Sequence, residues 1–368
     1  MVKRIATDTV SRPKTLVIGV QSPYNPTRNI ESYYEEFLNL VRTNGIEFDH
    51  KVFIKLRHVD PATFFTSGKI AELVDLCVKE HIEEVVISEP LSPKQERNLT
   101  QLFHCKVFDR TELILEIFER GAISAEGKIQ VDIAMLHHQK SRLAGQGGEM
   151  SQQAGQIGMR GPGKTQKEMD IDHIEHLLVA LRKKLKRLHQ IRETQRKGRL
   201  NTQVPLICLV GYTNAGKSSI FNKLTKSNVL SEDKLFATLD TTTRELYVDS
   251  KKKGLLSDTV GFIQQLPHHL IEAFKATLDE LQYAHLLLHI IDISDPNWES
   301  HIKTVNQVLE DLEVDKPILH VFNKIDKVDE VKLATLSLKK YEPHVLTSTY
   351  TEGGLDQLLA YLAEWKPS

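Results

Sequence analysis

Three cysteines in 368 residues, scattered at Cys77, Cys105 and Cys208, leave no framework for disulfides and no paired spacing for a structural metal site. Each sits in an apolar context, the usual place of a reduced, buried thiol. An excess of charge of one sign is also missing: 48 Lys and Arg stand against 49 Asp and Glu. Attraction to a polyanion must therefore come from local patches, not from the chain as a whole. No apolar run is long enough to cross a bilayer. The most hydrophobic, Leu286 to Ile293, is short and carries His289 and Asp292. MVKRIATDTVSRPK, the N-terminal stretch, has no apolar core and does not read as a signal peptide. These absences point to the cytoplasm. The length suits two or three domains.

What is present begins with alternation. Thr15 to Val20, Phe48 to Leu56, Glu84 to Ser88 and Lys106 to Phe108 read as strands. Between them Ile30 to Asn44, Ser67 to Glu80 and Pro93 to Phe103 carry apolar residues at helical spacing. Residues 1–110 are thus expected to form a small α/β domain. No glycine-rich phosphate loop occurs there; Ser67-Gly68-Lys69 is too little. His58 and His81 stand alone, which suits surface or core roles better than ligation.

Residues 111–200 change character. Thr111 to Arg120 and Ala125 to Arg142 read as helices, and Asp170 to about Lys197 as one long helix. In the last, Ile171, Ile174, Leu177, Leu178, Leu181, Leu185 and Leu188 follow a coiled-coil-like seam. An antiparallel helical hairpin is expected, with Leu143 to Gln166 as a glycine-rich tip loop. Arg142, Arg160, Lys164 and Lys167 place cations on or beside that loop. They suit contact with RNA, and a plain linker is the bland alternative. Nine Lys/Arg between Arg182 and Arg199 face one acid, Glu193. Such a run is either a solvated face or a footprint on a phosphate backbone. Lys197 to Gln203 then reads as a linker.

The stretch around which the chain is organised is Gly211-Tyr212-Thr213-Asn214-Ala215-Gly216-Lys217-Ser218. It fits G-x-x-x-x-G-K-[ST], between a strand-like run (Val204 to Val210) and a helix-like one starting at Ser219. Backbone N–H groups and the helix dipole would hold a phosphate there. Lys217 is expected at the β- and γ-phosphates and Ser218 on Mg²⁺. Four further elements follow in G-domain order across 204–368. Phe236-Ala237-Thr238-Leu239-Asp240-Thr241-Thr242-Thr243 stands where switch I belongs, with Thr238 the first choice for Mg²⁺ and Thr241 and Thr242 behind it. Asp258-Thr259-Val260-Gly261 matches D-x-x-G, its aspartate on Mg²⁺ through water and Gly261 N–H at the γ-phosphate. Asn323-Lys324-Ile325-Asp326 matches N-K-x-D, and the Asp326 carboxylate can accept both guanine N–H donors, which adenine lacks. Thr347-Ser348-Thr349 stands where a backbone N–H meets the guanine O6. Lys217, Thr238 and Gly261 are the expected catalytic set. Ras-type enzymes place a water-orienting glutamine next, but here the position is Phe262. A phenyl ring cannot hold water by a hydrogen bond. Slow intrinsic hydrolysis with a stimulating partner is expected; Gln264 and Gln265 lie two and three residues on.

Together these motifs resemble an HflX-type GTPase, a TRAFAC-class, translation-factor-related G protein, over nearly the whole chain. Arg160-Gly161-Pro162-Gly163 with Thr165-Gln166 is the most diagnostic stretch, since other G domains lack it. The resemblance implies an N-terminal α/β domain, a long antiparallel helical hairpin, and a Ras-like G domain whose mostly parallel sheet has helices on both faces. It implies binding to the large ribosomal subunit in the GTP state, ribosome splitting or rescue under stress, and rRNA contacts from Arg142, Arg160, Gly161, Gly163 and Lys164. A cytoplasmic monomer, associated with ribosomes and peripherally with membrane, is expected. Four departures stand out: Lys164 for the family's usual glutamate, a less glycine-rich loop before it with Gln153, Gln156 and Met159 intervening, Ser219 for a common threonine, and Thr349 for a common alanine. Lys164 reverses a charge at the expected rRNA contact. Two other readings stay open: a guanine-nucleotide switch for a non-ribosomal protein partner, and a nucleotide-dependent RNA-remodelling factor.

Overall fold

A computed structural model describes residues 12–25, 29–145, 166–200, 204–226, 235–236, 241–264 and 278–367. Contacts divide the chain into two compact units. One holds Met1–Pro26, Tyr33–Ile114 and Arg142–Gln153; the other Thr27–Ser32, Leu115–Ser141 and Ala154–Ser368.

The first unit is built on β1 (Thr15–Gln21), α1 (Ile30–Thr43), β2 (His50–Lys55), α2 (Ser67–Glu80), β3 (Glu84–Ile87), α3 (Pro93–Phe103) and β4 (Lys106–Phe108). Its four strands are all parallel, in the order β2-β1-β3-β4. Position in the sheet explains the sequence pattern. Interior β1 and β3 are apolar almost throughout and buried, whereas edge β2 alternates. Local chemistry starts α3: Ser92 accepts the Gln95 N–H, the Gln95 side chain accepts the Ser92 N–H, and Pro93 holds the first turn. At the carboxyl ends of β1 and β3 a buried network closes around Glu89. It accepts from the Tyr33 hydroxyl at 2.7 Å, Ser22 Oγ at 3.2 Å and Asn25 Nδ2 at 3.3 Å.

Two helices belong in part to each unit, α4 (Arg110–Gly121) and α5 (Ala125–Gly145). The tip loop expected from Leu143 does not start there, because α5 continues through Leu143 and Ala144, good helix formers, to Gly145; residues 146–165 of that expected loop lie outside the described residues. Next comes α6 (Gln166–Leu200), so the linker expected from Lys197 is helical as far as Leu200. Lys140 Nζ meets Glu175 at 2.7 Å and Arg182 Nη2 meets His137 at 2.9 Å. Positions falling on α5 pair with positions rising on α6, so the two helices run antiparallel. Of the expected seam only Ile174 and Leu178 are buried, and Leu177 is exposed. Two helices alone cover only a narrow stripe of each other.

The remaining elements are β5 (Leu206–Gly211), α7 (Lys217–Thr225), β6 (Thr242–Val248), β7 (Lys251–Asp258), β8 (Leu286–Asp292), α8 (Trp298–Asp311), β9 (Ile318–Asn323), α9 (Glu330–Thr335), β10 (His344–Leu346) and α10 (Asp356–Glu364). The sheet order is β10-β9-β8-β5-β7-β6, parallel except for the β6–β7 hairpin. That hairpin turns on Asp249 and Ser250, both at positive φ, the signature of a tight two-residue turn. β6 is absent from the sequence-based expectation, because its first residues read as the end of switch I. Ile207, Leu209, Leu288, Ile290, Leu319 and Val321 meet α7 and α10 in one core.

Candidate functional site: a phosphate loop at the carboxyl edge of the sheet

Parallel strands deliver their C-terminal residues to one edge, where α/β sheets bind ligands. Here that edge carries Gly211 from β5, Asp258 from β7, Asp292 from β8, Asn323 from β9 and Thr347-Ser348 just after β10. Four of the five expected elements are therefore brought together by sheet topology, although they are spread from 211 to 349 along the chain.

The loop 212–216 connects β5 to α7. Gly216 caps α7 at φ +96°, where a side chain is strained, and a Cβ there would run into the Asn323 amide. That amide donates to the Ala215 carbonyl at 2.9 Å. Lys324, itself in the left-handed region, donates to the Asn214 carbonyl at 2.7 Å and pairs with Asp292 at 2.7 Å. The Asn323-Lys324 segment after β9 thus braces the phosphate loop directly. Lys217 is buried, and its ammonium donates to the carbonyls of Gly211 (3.2 Å) and Tyr212 (2.9 Å). Burial pushes its pKa down to about 8; nearby Asp258 opposes the shift and Lys324 adds to it. A buried cation at a helix N-terminus has an evident complement in a phosphate anion.

Ser218 Oγ donates to Asp258 Oδ2 at 2.7 Å. This pairs a hydroxyl and a carboxylate, both hard oxygen donors, beside the phosphate loop. Among the described residues no group of three or more His, Cys, Asp or Glu could hold a metal. The Ser218 hydroxyl and Asp258 carboxylate fit Mg²⁺, which binds through one or two protein oxygens and takes the rest from phosphates and water. Thr259 anchors the following turn, donating to the Leu209 carbonyl at 2.6 Å. Gly261 lies so close that a Cβ would sit 2.8 Å from Lys217 Nζ and 2.9 Å from Thr213 Cα. Val260 and Phe262 are buried.

At the far end Asp326 is exposed, and its Oδ1 accepts from Ser348 Oγ at 2.5 Å. Ser348 also receives the N–H groups of Tyr350 and Thr351, and Thr347 donates to Asn323 Oδ1 at 3.4 Å. Thr349 follows at the rim, half-buried. Ser219 and Ile325 are half-buried in α7 and in the turn after β9.

Some expected residues are elsewhere. Arg142 is corrected: its guanidinium pairs with Asp109 at 3.0 Å and with Glu96, and only 15% of the side chain is exposed. Burial lowers its pKa to about 10, so it is still charged and is committed to those two carboxylates. An RNA phosphate would have to displace them. Phe236 is also corrected as a nucleotide contact. Its ring is buried edge-on against Phe118 of α4, with centroids 4.6 Å apart. Thr242 stands in β6, opposite Asp258. Ala237, Thr238, Leu239 and Asp240 lie outside the described residues, as do Arg160, Gly161, Gly163, Lys164 and Gln265. Sequence reasoning missed Asp292 as the Lys324 partner; a carboxylate closing an apolar strand was the available signal.

His289 lies within β8 and is buried, and desolvation pushes its pKa down to about 3, with His320 and Lys217 adding to the shift. Between that value and about 6.5 the unfolded chain binds a proton that the folded one refuses. The His289 contribution to stability is therefore complete above about pH 6.5 and is lost as the pH drops toward about 3, by roughly 4–5 kcal/mol in the limit. We predict that His289→Leu flattens the acid limb of a melting-temperature profile between pH 6.5 and 4. An unchanged slope would remove His289 as its source.

Three family models match in succession. Residues 31–119 match "GTP-binding GTPase N-terminal", 121–199 "GTP-binding GTPase Middle Region" and 206–324 "50S ribosome-binding GTPase". Among curated relatives, GTPase HflX of Magnetococcus marinus is 42% identical over 330 residues, covering 89% of this chain and 76% of the relative. GTPase HflX of Escherichia coli K12 is 41% identical over 332 residues, 90% of this chain and 78% of the relative. Among solved structures, the SsGBP–GDP complex aligns over 95% of this chain and 98% of its own at a TM-score of 0.52. At 23% identity it speaks for the fold alone. Agreement of this extent with the curated relatives, along both chains and through all three segments, establishes common descent, and the chain belongs to the HflX family of GTPases.

Proposed function

We propose that this GTPase is a Mg²⁺-dependent switch that binds the large ribosomal subunit when loaded with GTP and dissociates or rescues ribosomes. In this reading residues 1–110, 111–200 and 204–368 serve as binding module, RNA probe and motor. The ribosome stimulates hydrolysis, and the protein acts in the cytoplasm as a monomer. Ser218 and Asp258 would hold the metal, which would supply charge neutralisation at the β- and γ-phosphates. The chain's own residues do the rest. Lys217 grips the phosphates, Gly261 offers its N–H to the γ-phosphate, and Asp326, steadied by Ser348, reads the base.

One observation carries the ribosomal part. Arg182, Lys183, Lys184, Lys186 and Arg187 lie close together on α6, and all five are exposed. Neighbouring cations on one helix suit a nucleic-acid backbone. The family description of a 50S ribosome-binding GTPase agrees with this. Arg142 no longer belongs to the RNA-contacting set. The protein-partner alternative draws on exposed Val179 and Ile191 on the same helix.

Sedimentation through sucrose with ribosomes and subunits, in GDP, GTP or a non-hydrolysable analogue, tests the proposal. We expect co-migration with the large subunit in the triphosphate states. Replacing Lys183, Lys184, Lys186 and Arg187 with Ala should weaken it and lower the salt slope by about 0.7–0.9 for each phosphate that is no longer neutralised. Co-migration that ignored both the nucleotide and these four residues would count against the proposal.

A further inference from the structure

Tyr212 is the first residue inside the phosphate loop, and its side chain is engaged away from the loop. Its ring stacks on the His301 imidazole of α8, centroids 3.8 Å apart and planes 6° from parallel. Both residues are buried. The Tyr212 hydroxyl accepts the Gln264 backbone N–H at 2.8 Å. The Tyr212 main chain forms a parallel bridge with Phe262. Phe262 N–H donates to the Gly211 carbonyl at 3.1 Å, and Thr213 N–H to the Phe262 carbonyl at 2.7 Å. On α8, Ser300 Oγ receives Gln264 Nε2 at 3.4 Å. The stretch after Gly261 is therefore fastened twice by its backbone at Phe262 and again at Gln264.

We infer that Tyr212 is a positioning residue for GTP hydrolysis: its hydroxyl, aimed by the His301 stack, fixes the backbone of the stretch after Gly261 at Gln264. The inference rests on the reading of Asp258 to Gly261 as the γ-phosphate segment. Its physical basis is the missing glutamine. The buried Phe262 ring offers no hydrogen bond to water, so this segment reaches the reacting phosphate through its backbone, at Gly261 N–H. Small displacements of such a donor cost rate. A tyrosine has few rotatable bonds, and a parallel stack removes most of its remaining swing. His301 acts through Tyr212, with no contact to substrate required.

The experiment is steady-state GTP hydrolysis by the full chain, with amide hydrogen exchange at Gln264 as a readout independent of turnover. Tyr212→Phe deletes one oxygen and keeps the stack. Loss of one neutral hydrogen bond should lower kcat about two- to tenfold, with a smaller change in KM, and the Gln264 amide should exchange faster. His301→Ala should reproduce both effects, His301→Phe should restore them, and the double variant Tyr212→Phe/His301→Ala should be no worse than either single one. An unchanged or raised kcat in Tyr212→Phe, or unaltered exchange at Gln264, overturns the inference. Gly261→Ala separates the two levels. If it hydrolyses GTP as wild type does, the reading of Asp258 to Gly261 as the γ-phosphate segment falls and the inference with it. If it loses activity while Tyr212→Phe does not, only the inference falls.

Discussion

Asp326→Asn should turn the enzyme from guanosine to xanthosine nucleotides. The wild-type carboxylate is an acceptor at both oxygens, and guanine presents two donors, at N1 and the exocyclic amine. Ser348 Oγ already donates to Oδ1 at 2.5 Å, which sets the plane of the carboxylate. In the variant one oxygen becomes an NH₂ group that faces the guanine amine donor to donor. A site built around a specific hydrogen bond rejects the mismatched base strongly. GTP affinity should fall on the order of a thousandfold, and xanthosine triphosphate, with a carbonyl where guanine has the amine, should recover most of it. Competition binding of GTP, XTP and ATP by both proteins decides the matter. A variant that kept its GTP preference would show that Asp326 does not read the base. Equal use of ATP by both would favour a remodelling factor of another nucleotide class.

Lys217→Ala should abolish tight nucleotide binding. The ammonium has two jobs: it satisfies the Gly211 and Tyr212 carbonyls, and in the proposed reading it would present charge to the phosphates. Alanine removes both and leaves two loop carbonyls without that donor. Charge-assisted hydrogen bonds are worth about 1.5–3 kcal/mol each, so losing two from the bound state costs on the order of a thousandfold in affinity. Protons supply a second readout. The ligand-free pKa of about 8 means that part of Lys217 is neutral at a pH just above that value. A bound triphosphate restores the charge, so wild-type binding under those mildly alkaline conditions should take up a proton. Calorimetry in two buffers of different ionisation enthalpy would detect it, and the alanine variant should lack it. Affinity within about tenfold of wild type, or no uptake above the ligand-free pKa, would remove Lys217 from the phosphate site.

Much of the architecture was legible because it is written locally. Four strands and three helices of the first unit follow from short-range periodicity, and α3 announces itself by Ser92, Pro93 and Gln95 within four residues. Boundaries were less legible. α5 and α6 overrun their expected ends, because Leu143 and Ala144 in the one and Arg199 and Leu200 in the other favour helix as readily as loop. β6 was hidden inside an expected switch, since threonines serve both a strand and a metal site.

By itself the sequence determined the order of the phosphate loop, D-x-x-G and N-K-x-D, and with it the chemistry, because each motif is a short run whose backbone and side chains act together. Only the tertiary structure decided which side chains were already engaged. Arg142 reads as a cation available to RNA until Asp109 and Glu96 are seen around it. Phe236 reads as a neighbour of the nucleotide until Phe118 covers it. Tyr212 reads as one more member of the phosphate loop until His301 and Gln264 meet its ring and hydroxyl. In each case the partner is remote in the chain and is brought near by sheet order and helix packing, which no local pattern encodes.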